Sequence, residues 1–275
     1  MQPKIAILYS LARSGGTLIS KCLGCMPGHV LLSEIHPRWA YFNPLVQANE
    51  WFKLISDEEL NEIKSTRSTK YIDGIRLISQ RCRERGHQLI IRDWTHVDFM
   101  PVPDQVSHVS PIYRLSQYEL LKNHLDIRHV ALVRHPLDSL LSLQKVPDFR
   151  GRIDVSTYMA GFRRFAQIAS EIGFIRFEEF CDQPKAVMEK ICRILEVSYD
   201  PGFLEKYQQY TKITGDIIRP GQQHTLTGEQ IGERTTNAIR RPPPRPAPPE
   251  LLQQLKDDVN YREILQILGY AETSG

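Results

Sequence analysis

Cysteine is scarce. The 275-residue chain holds five, Cys22, Cys25, Cys82, Cys181 and Cys192. An odd, thinly spread set in a chain of this length is not a disulfide framework, and it points to a reducing compartment. Cys22 and Cys25 have CxxC spacing, but no second pair and no His cluster completes a metal site, so no metal is expected. Long apolar runs are missing too: nothing approaches the ~18 residues of a membrane span. The apolar stretch Ile5 to Tyr9 is shorter than a signal-peptide core. The chain therefore reads as cytoplasmic. Nor is there a large excess of one charge, since Lys and Arg number 35, Asp and Glu 32, and the formal net charge is +3. No broad field for a polyanion follows, so nucleic acid is not an expected partner. Any anion site must come from locally placed Arg, Lys and backbone N–H groups.

What is present is an ordinary globular composition, 41% hydrophobic and 24% charged. Lys4 to Ser10 is a short, partly β-branched apolar run that reads as a buried strand. A Gly-containing loop follows, and then Leu18, Ile19, Cys22 and Leu23 recur at helical spacing. Further short strands are read at Val30–Leu32, Gln88–Arg92, His129–Val133 and Phe174–Phe177. Helical, amphipathic patterns fill most of 39–88, with Ser56 capping a helix that starts at Asp57. Others follow Asp138 or Ser139, run from Gly161 to Ile172, and begin after Pro184. Residues 212–249 form a long loop containing Gly, Pro and Arg, because proline at the density of Arg240-Arg241-Pro242-Pro243-Pro244-Arg245 stops helices and central strands. A last helix over about 250–270, with Leu251, Leu255, Ile264, Leu265 and Leu268, is expected to dock back on one domain spanning 1–275.

Strands alternating with helices predict an α/β fold with a mainly parallel sheet and helices on both faces. In such folds ligands sit beyond the carboxyl ends of the strands. The polar motifs 13–17, 93–96 and 134–142 all fall at such ends, which predicts one shared site. The first is Arg13-Ser14-Gly15-Gly16-Thr17, followed by Leu18. Glycines after a strand let the backbone turn and aim N–H groups at a phosphate, and the helix N-terminus adds partial positive charge. No Lys precedes Thr17, so this is not a Walker A loop, and a kinase-like enzyme is disfavoured. The second is Arg134-His135-Pro136, where an always-charged guanidinium closes a strand and Ser142 lies two helical turns further on. Taken separately, such a turn also serves merely to join a strand to a helix, and such an Arg also sits on ordinary surface helices.

Taken together, the loop at 13–17 and the Arg134/Ser142 pair, about 120 residues apart, resemble the sulfotransferases that use 3′-phosphoadenosine-5′-phosphosulfate (PAPS). The stretch Ile175 to Pro184 is similar to that family's later strand and acidic turn. The resemblance covers roughly residues 4–200 and implies a P-loop-like three-layer fold. It implies that Arg13, Ser14, Gly15, Gly16, Thr17 and Leu18 hold the 5′-phosphosulfate and that Arg134 and Ser142 hold the 3′-phosphate. Sulfuryl transfer to a hydroxyl or amine of a small-molecule or saccharide acceptor would release adenosine 3′,5′-bisphosphate (PAP). The family's closing C-terminal loop maps loosely onto Thr214 to Arg219 or onto Arg240-Arg241. A non-catalytic nucleotide-binding module on the same fold is the other reading.

Transfer needs a base for the acceptor proton, and His suits neutral pH best. Many family members place it in a Thr-His pair after the third strand, which here is Thr95-His96, so His96 is the first candidate. Other members use a Glu after the second strand, matched by Glu34 with His36 nearby. Asp93 is the third candidate. Trp39, Tyr41, Phe42, Trp51, Phe52, Trp94 and Phe99 supply aromatics for an acceptor pocket or, more commonly, for core packing.

Overall fold

The structure, a computed structural model, describes residues 2–65, 70–101, 109–147, 149–215, 238–243 and 245–271. The chain opens with β1 (Lys4–Ser10), α1 (Gly16–Gly24) and β2 (His29–Ile35). Three helices follow, α2 (Pro44–Glu50), α3 (Asp57–Ser65) and α4 (Tyr71–Glu84), before β3 (Gln88–Asp93). Two short helices, α5 (His96–Phe99) and α6 (Ser116–Leu121), lead to β4 (Asp126–Val133), α7 (Pro136–Leu143) and α8 (Val155–Ile172). Then come β5 (Phe174–Arg176), α9 (Phe177–Asp182), α10 (Pro184–Leu195) and α11 (Phe203–Lys206), with a 3₁₀ turn at Tyr207–Gln209. The last helices are α12 (Pro249–Asp257) and α13 (Val259–Leu268).

The five strands form one sheet in the order β2-β3-β1-β4-β5, and every pairing is parallel. Parallel strands covered on both faces need apolar residues at successive positions. In β1, Ile5, Ile7 and Tyr9 enter one core while Ala6 and Leu8 enter the other. The first core is closed by α2 to α4, α8, α12 and α13, and the second by α1, α9, α10 and α11. This is the three-layer α/β architecture expected from the alternation of strands and helices. After β1 the chain builds β3 and β2 on one side, then crosses to build β4 and β5 on the other. The loop leaving β1 thus lies where strand order reverses, the place where open α/β sheets hold ligands.

Several boundaries differ from the sequence reading for local reasons. Helix α8 begins at Val155, before Gly161, because Asp154 caps it by accepting from Thr157 N at 2.7 Å. The final helix is two, since Asp258 ends α12 and caps α13 by accepting from Tyr261 N at 3.0 Å. Leu251, Leu255, Ile264, Leu265 and Leu268 are buried, with α13 lying along α8 and Arg163 paired to Glu263 at 3.0 Å. Ser56 caps α3 as read, accepting from Glu59 N at 3.1 Å. Of the segment 212–249, residues 216–237, which include Arg219, and Pro244 lie outside the described residues. Among the described residues no helix is long and apolar enough to cross a membrane.

Candidate functional site

A cleft of about 240 Å³ opens at the carboxyl ends of the strands. Its floor is the turn from β1 into α1. Gly15 caps α1 with φ +90°, a conformation that disfavours any side chain, and its face lies under the Phe177 ring. A Cβ placed there would fall 2.1 Å from Phe177 Cδ2. Gly15→Ala is therefore expected to cost about 2–5 kcal/mol, adding left-handed strain to overpacking. Thermal unfolding should fall by roughly 5–15 °C, and a shift under 2 °C would mean that the ring is free to move aside. Gly16 is also closely approached, with Ser10 Oγ 2.6 Å and Arg92 Nε 3.3 Å from where its Cβ would be.

The two sequence motifs meet in space. Arg13 Nε donates to Ser142 Oγ at 3.1 Å, and Arg134 Nη1 donates to the Arg13 carbonyl at 3.3 Å. The Arg134 guanidinium lies 5.3 Å over the Phe177 ring and 3.9 Å from Asp138. Arg13 itself has φ +69° and is half-buried. Burial, with Arg245, Arg134 and Arg92 facing it, lowers its pKa from the usual Arg value. Arg240 and Arg245 also line the cleft, whereas Arg241 turns away to pair with Asp182, its Nε 2.7 Å from Oδ1. Arg245 Nη1 is buried with no hydrogen-bond partner among the described residues. Five arginines in one cleft repel each other, and a buried guanidinium N–H left unpaired is costly. The donor set therefore fits a ligand with separated anionic groups. Among the described residues no group of three or more His, Cys, Asp or Glu could hold a metal.

The three candidate bases part company here. Glu34 lines the cleft from the end of β2, where the register shifts between Ser33 and Ile35 and Glu34 takes φ +57°. The bulge turns its side chain off the sheet, and its Oε1 accepts from Arg92 Nη2 at 2.8 Å. Asp93 also lines the cleft. Its Oδ1 accepts from Thr95 Oγ1 at 2.7 Å, and Gln117, oriented with its amide nitrogen inward, reaches its Oδ2 at 3.0 Å. Burial pushes this carboxyl up to about 7 against the opposing pull of His36.

His96, the first candidate on sequence, does not line the cleft. It opens α5 with 1% of its surface exposed, its ring set edge-on to Phe149 at 5.4 Å. Neither ring nitrogen has a hydrogen-bond partner among the described residues, and burial pushes its pKa down to about 3. A base must reach the proton it removes, and of the three candidates Glu34 and Asp93 line the cleft while His96 does not.

Arg92, Phe177 and Arg245 are cleft residues that the sequence reading did not assign to the site. Arg92 lies within β3 one residue before its carboxyl end, Arg134 just past that of β4, and nearness to a strand end is the available signal. Trp94 joins the lining, with Trp39 packed against it at a tilt of 57° and ring centroids 4.7 Å apart.

No known protein-family description and no curated protein sequence matches the chain. Solved structures do match its fold. The sulfotransferase domain from the curacin biosynthetic pathway superposes with a TM-score of 0.64 at 16% identity, over 98% of this chain and 99% of that one. The sulfotransferase domain of the Synechococcus PCC 7002 olefin synthase gives 0.54 at 14% identity, over 99% and 90%. The fold is that of the sulfotransferases.

Proposed function

We propose that the chain is a PAPS-dependent sulfotransferase acting on a hydroxyl or amine of a small-molecule or saccharide acceptor. The observation that carries this reading is the contact between the two anion motifs through Arg13, Ser142 and Arg134. One phosphate loop suits any nucleotide, but a second cationic site joined to the first suits a nucleotide phosphorylated at both ends. PAPS supplies an activated sulfuryl group on a 5′-phosphate leaving group.

In this reading the N–H groups at the start of α1, with Arg13 and Thr17, hold the 5′ end. Arg134 and Ser142 hold the 3′-phosphate, and Arg245 and Arg240 add charge at the cleft wall. Fixed cations and N–H groups aimed at charge that grows on a leaving phosphate are the electrostatic device that dominates such transfers. Glu34 removes the acceptor proton. Asp93, at the end of β3, has its carboxyl pushed up to about 7 by burial and accepts from Thr95, whose Oγ1 in turn accepts from Ser10 N at 3.1 Å.

The first test needs no acceptor. PAP is expected to raise the thermal unfolding midpoint more than Mg-ATP does. At 100 times the dissociation constant, linkage adds ~2.7 kcal/mol. For a chain this long that is a rise of roughly 5–10 °C. A rise with Mg-ATP equal to or larger than that with PAP would replace this reading with a kinase-like one. PAP binding without consumption of PAPS across a panel of phenols, alcohols, amines and sugars would favour the binding module.

A further inference from the structure

Arg92 sits where three elements meet. Its Nη2 donates to Glu34 Oε1 at 2.8 Å, and its Nη1 donates to the Thr214 carbonyl at 3.1 Å. Its Nε lies against the phosphate loop, 3.3 Å from the point where Gly16 would carry a Cβ. The same convergence is seen from Gly215, whose absent Cβ would be 3.2 Å from Glu34 Oε1, 3.3 Å from Thr17 Oγ1 and 3.7 Å from Arg92 Nη2. The carboxylate, the loop hydroxyl and the guanidinium fork therefore face one small volume. Gly215 has φ +73°, so a side chain is disfavoured there on backbone grounds as well.

We infer that Arg92 is shared between Glu34 and the donor's 5′ end, so that protonation of Glu34 releases a cation to the leaving phosphate. The inference rests on the donor reading above. An Arg fork is planar and always charged, so one arm can change partners while the other stays anchored. Here the Nη1 arm is anchored on Thr214 O and stands 3.4 Å from Ser33 Oγ, and the Nη2 arm carries the Glu34 contact. In the transfer step the acceptor O–H bond breaks and its proton goes to Glu34, while its electron pair forms the new O–S bond. The S–O bond to the 5′-phosphate breaks, and that electron pair leaves on the bisphosphate. Glu34 thus loses its negative charge as the phosphate gains one, and the guanidinium between them exchanges one anion for the other. Arg13, a cation that also faces Glu34, is tied to Ser142 through its Nε.

This exchange is testable with PAP alone. Glu34→Gln mimics the protonated base, so it should tighten PAP by roughly 3–30-fold as Arg92 is freed for the phosphate. In an Arg92→Met background the same change should give less than a twofold gain, because no fork remains to be released. Isothermal calorimetry on the four proteins measures the cycle, with circular dichroism confirming that each is folded. If Arg92→Met does not fold, Arg92→Lys keeps the charge without the second arm, and the gain must shrink there too. An equal gain in both backgrounds means that Glu34 acts only by its charge, and it overturns the sharing of Arg92 alone. Failure of the wild type to bind PAP overturns the donor reading itself.

Discussion

Glu34→Gln is expected to lower turnover of PAPS by ~10²–10⁴-fold with any acceptor that the wild type sulfates, the usual loss for a general base. Glu34 is held in the cleft by the bulge that ends β2, at a backbone conformation of φ +57° that ordinarily costs about 1–2 kcal/mol. Gln has the same shape and tolerates that backbone equally, so the loss is chemical, with the fold intact. PAP affinity is retained or improved in the same variant, which separates the loss from donor binding. His96→Ala is the contrasting case. Its ring is buried away from the cleft lining, so turnover per folded molecule should stay within a few-fold of wild type while stability falls by roughly 1–3 kcal/mol. Steady-state PAPS consumption and thermal unfolding of both variants decide the matter. A mild Glu34→Gln beside a crippled His96→Ala would return the role to His96. Two mild variants beside a crippled Asp93→Asn would give it to Asp93, whose carboxyl is already pushed up to about 7.

The strands were readable because a parallel sheet covered on both faces demands apolar runs such as Ile5 to Tyr9 and Val130 to Val133. The loop after β1 was readable because Gly15 and Gly16 sit where backbone must turn under Phe177 and past Ser10. The direction of a single side chain just past a strand end was not. A register shift between Ser33 and Ile35 decides that Glu34 enters the cleft, and no residue type announces a bulge there. After β3, one short turn of helix carries His96 into the apolar layer beside Phe149, although Thr95, one residue earlier, reaches Asp93 Oδ1 and the Ser10 amide. On sequence Arg92 reads only as the polar residue that stops a strand. Only the approach of Glu34, Thr214 and Gly16 gives it work to do. The break at Asp258 is masked in the sequence by the apolar periodicity that Leu251 to Leu268 keep across it, while its capping carboxylate is a local signal.

Arg134→Ala is expected to weaken PAP by roughly 10–150-fold, the range of one charge-assisted phosphate contact worth ~1.5–3 kcal/mol. The residue closes β4, is buried to 6% exposure, and has no carboxylate closer than Asp138 at 3.9 Å among the described residues. Its guanidinium is instead placed by the Phe177 ring beneath it and by the Arg13 carbonyl at 3.3 Å. Those contacts fix the orientation without neutralising the charge, so the charge remains available to a phosphate. Specificity is the sharper readout. Wild type should prefer PAP over adenosine 5′-monophosphate by a margin that Arg134→Ala largely removes, with affinity for the monophosphate changing only a few-fold. Ser142→Ala should reduce the same preference less, since it deletes one neutral donor and also loosens Arg13, which it holds at 3.1 Å. Competition calorimetry with the two nucleotides measures both margins. If the preference for the 3′-phosphate survives Arg134→Ala undiminished, that phosphate is bound elsewhere in the cleft, with Arg245, whose Nη1 has no partner among the described residues, the next residue to replace.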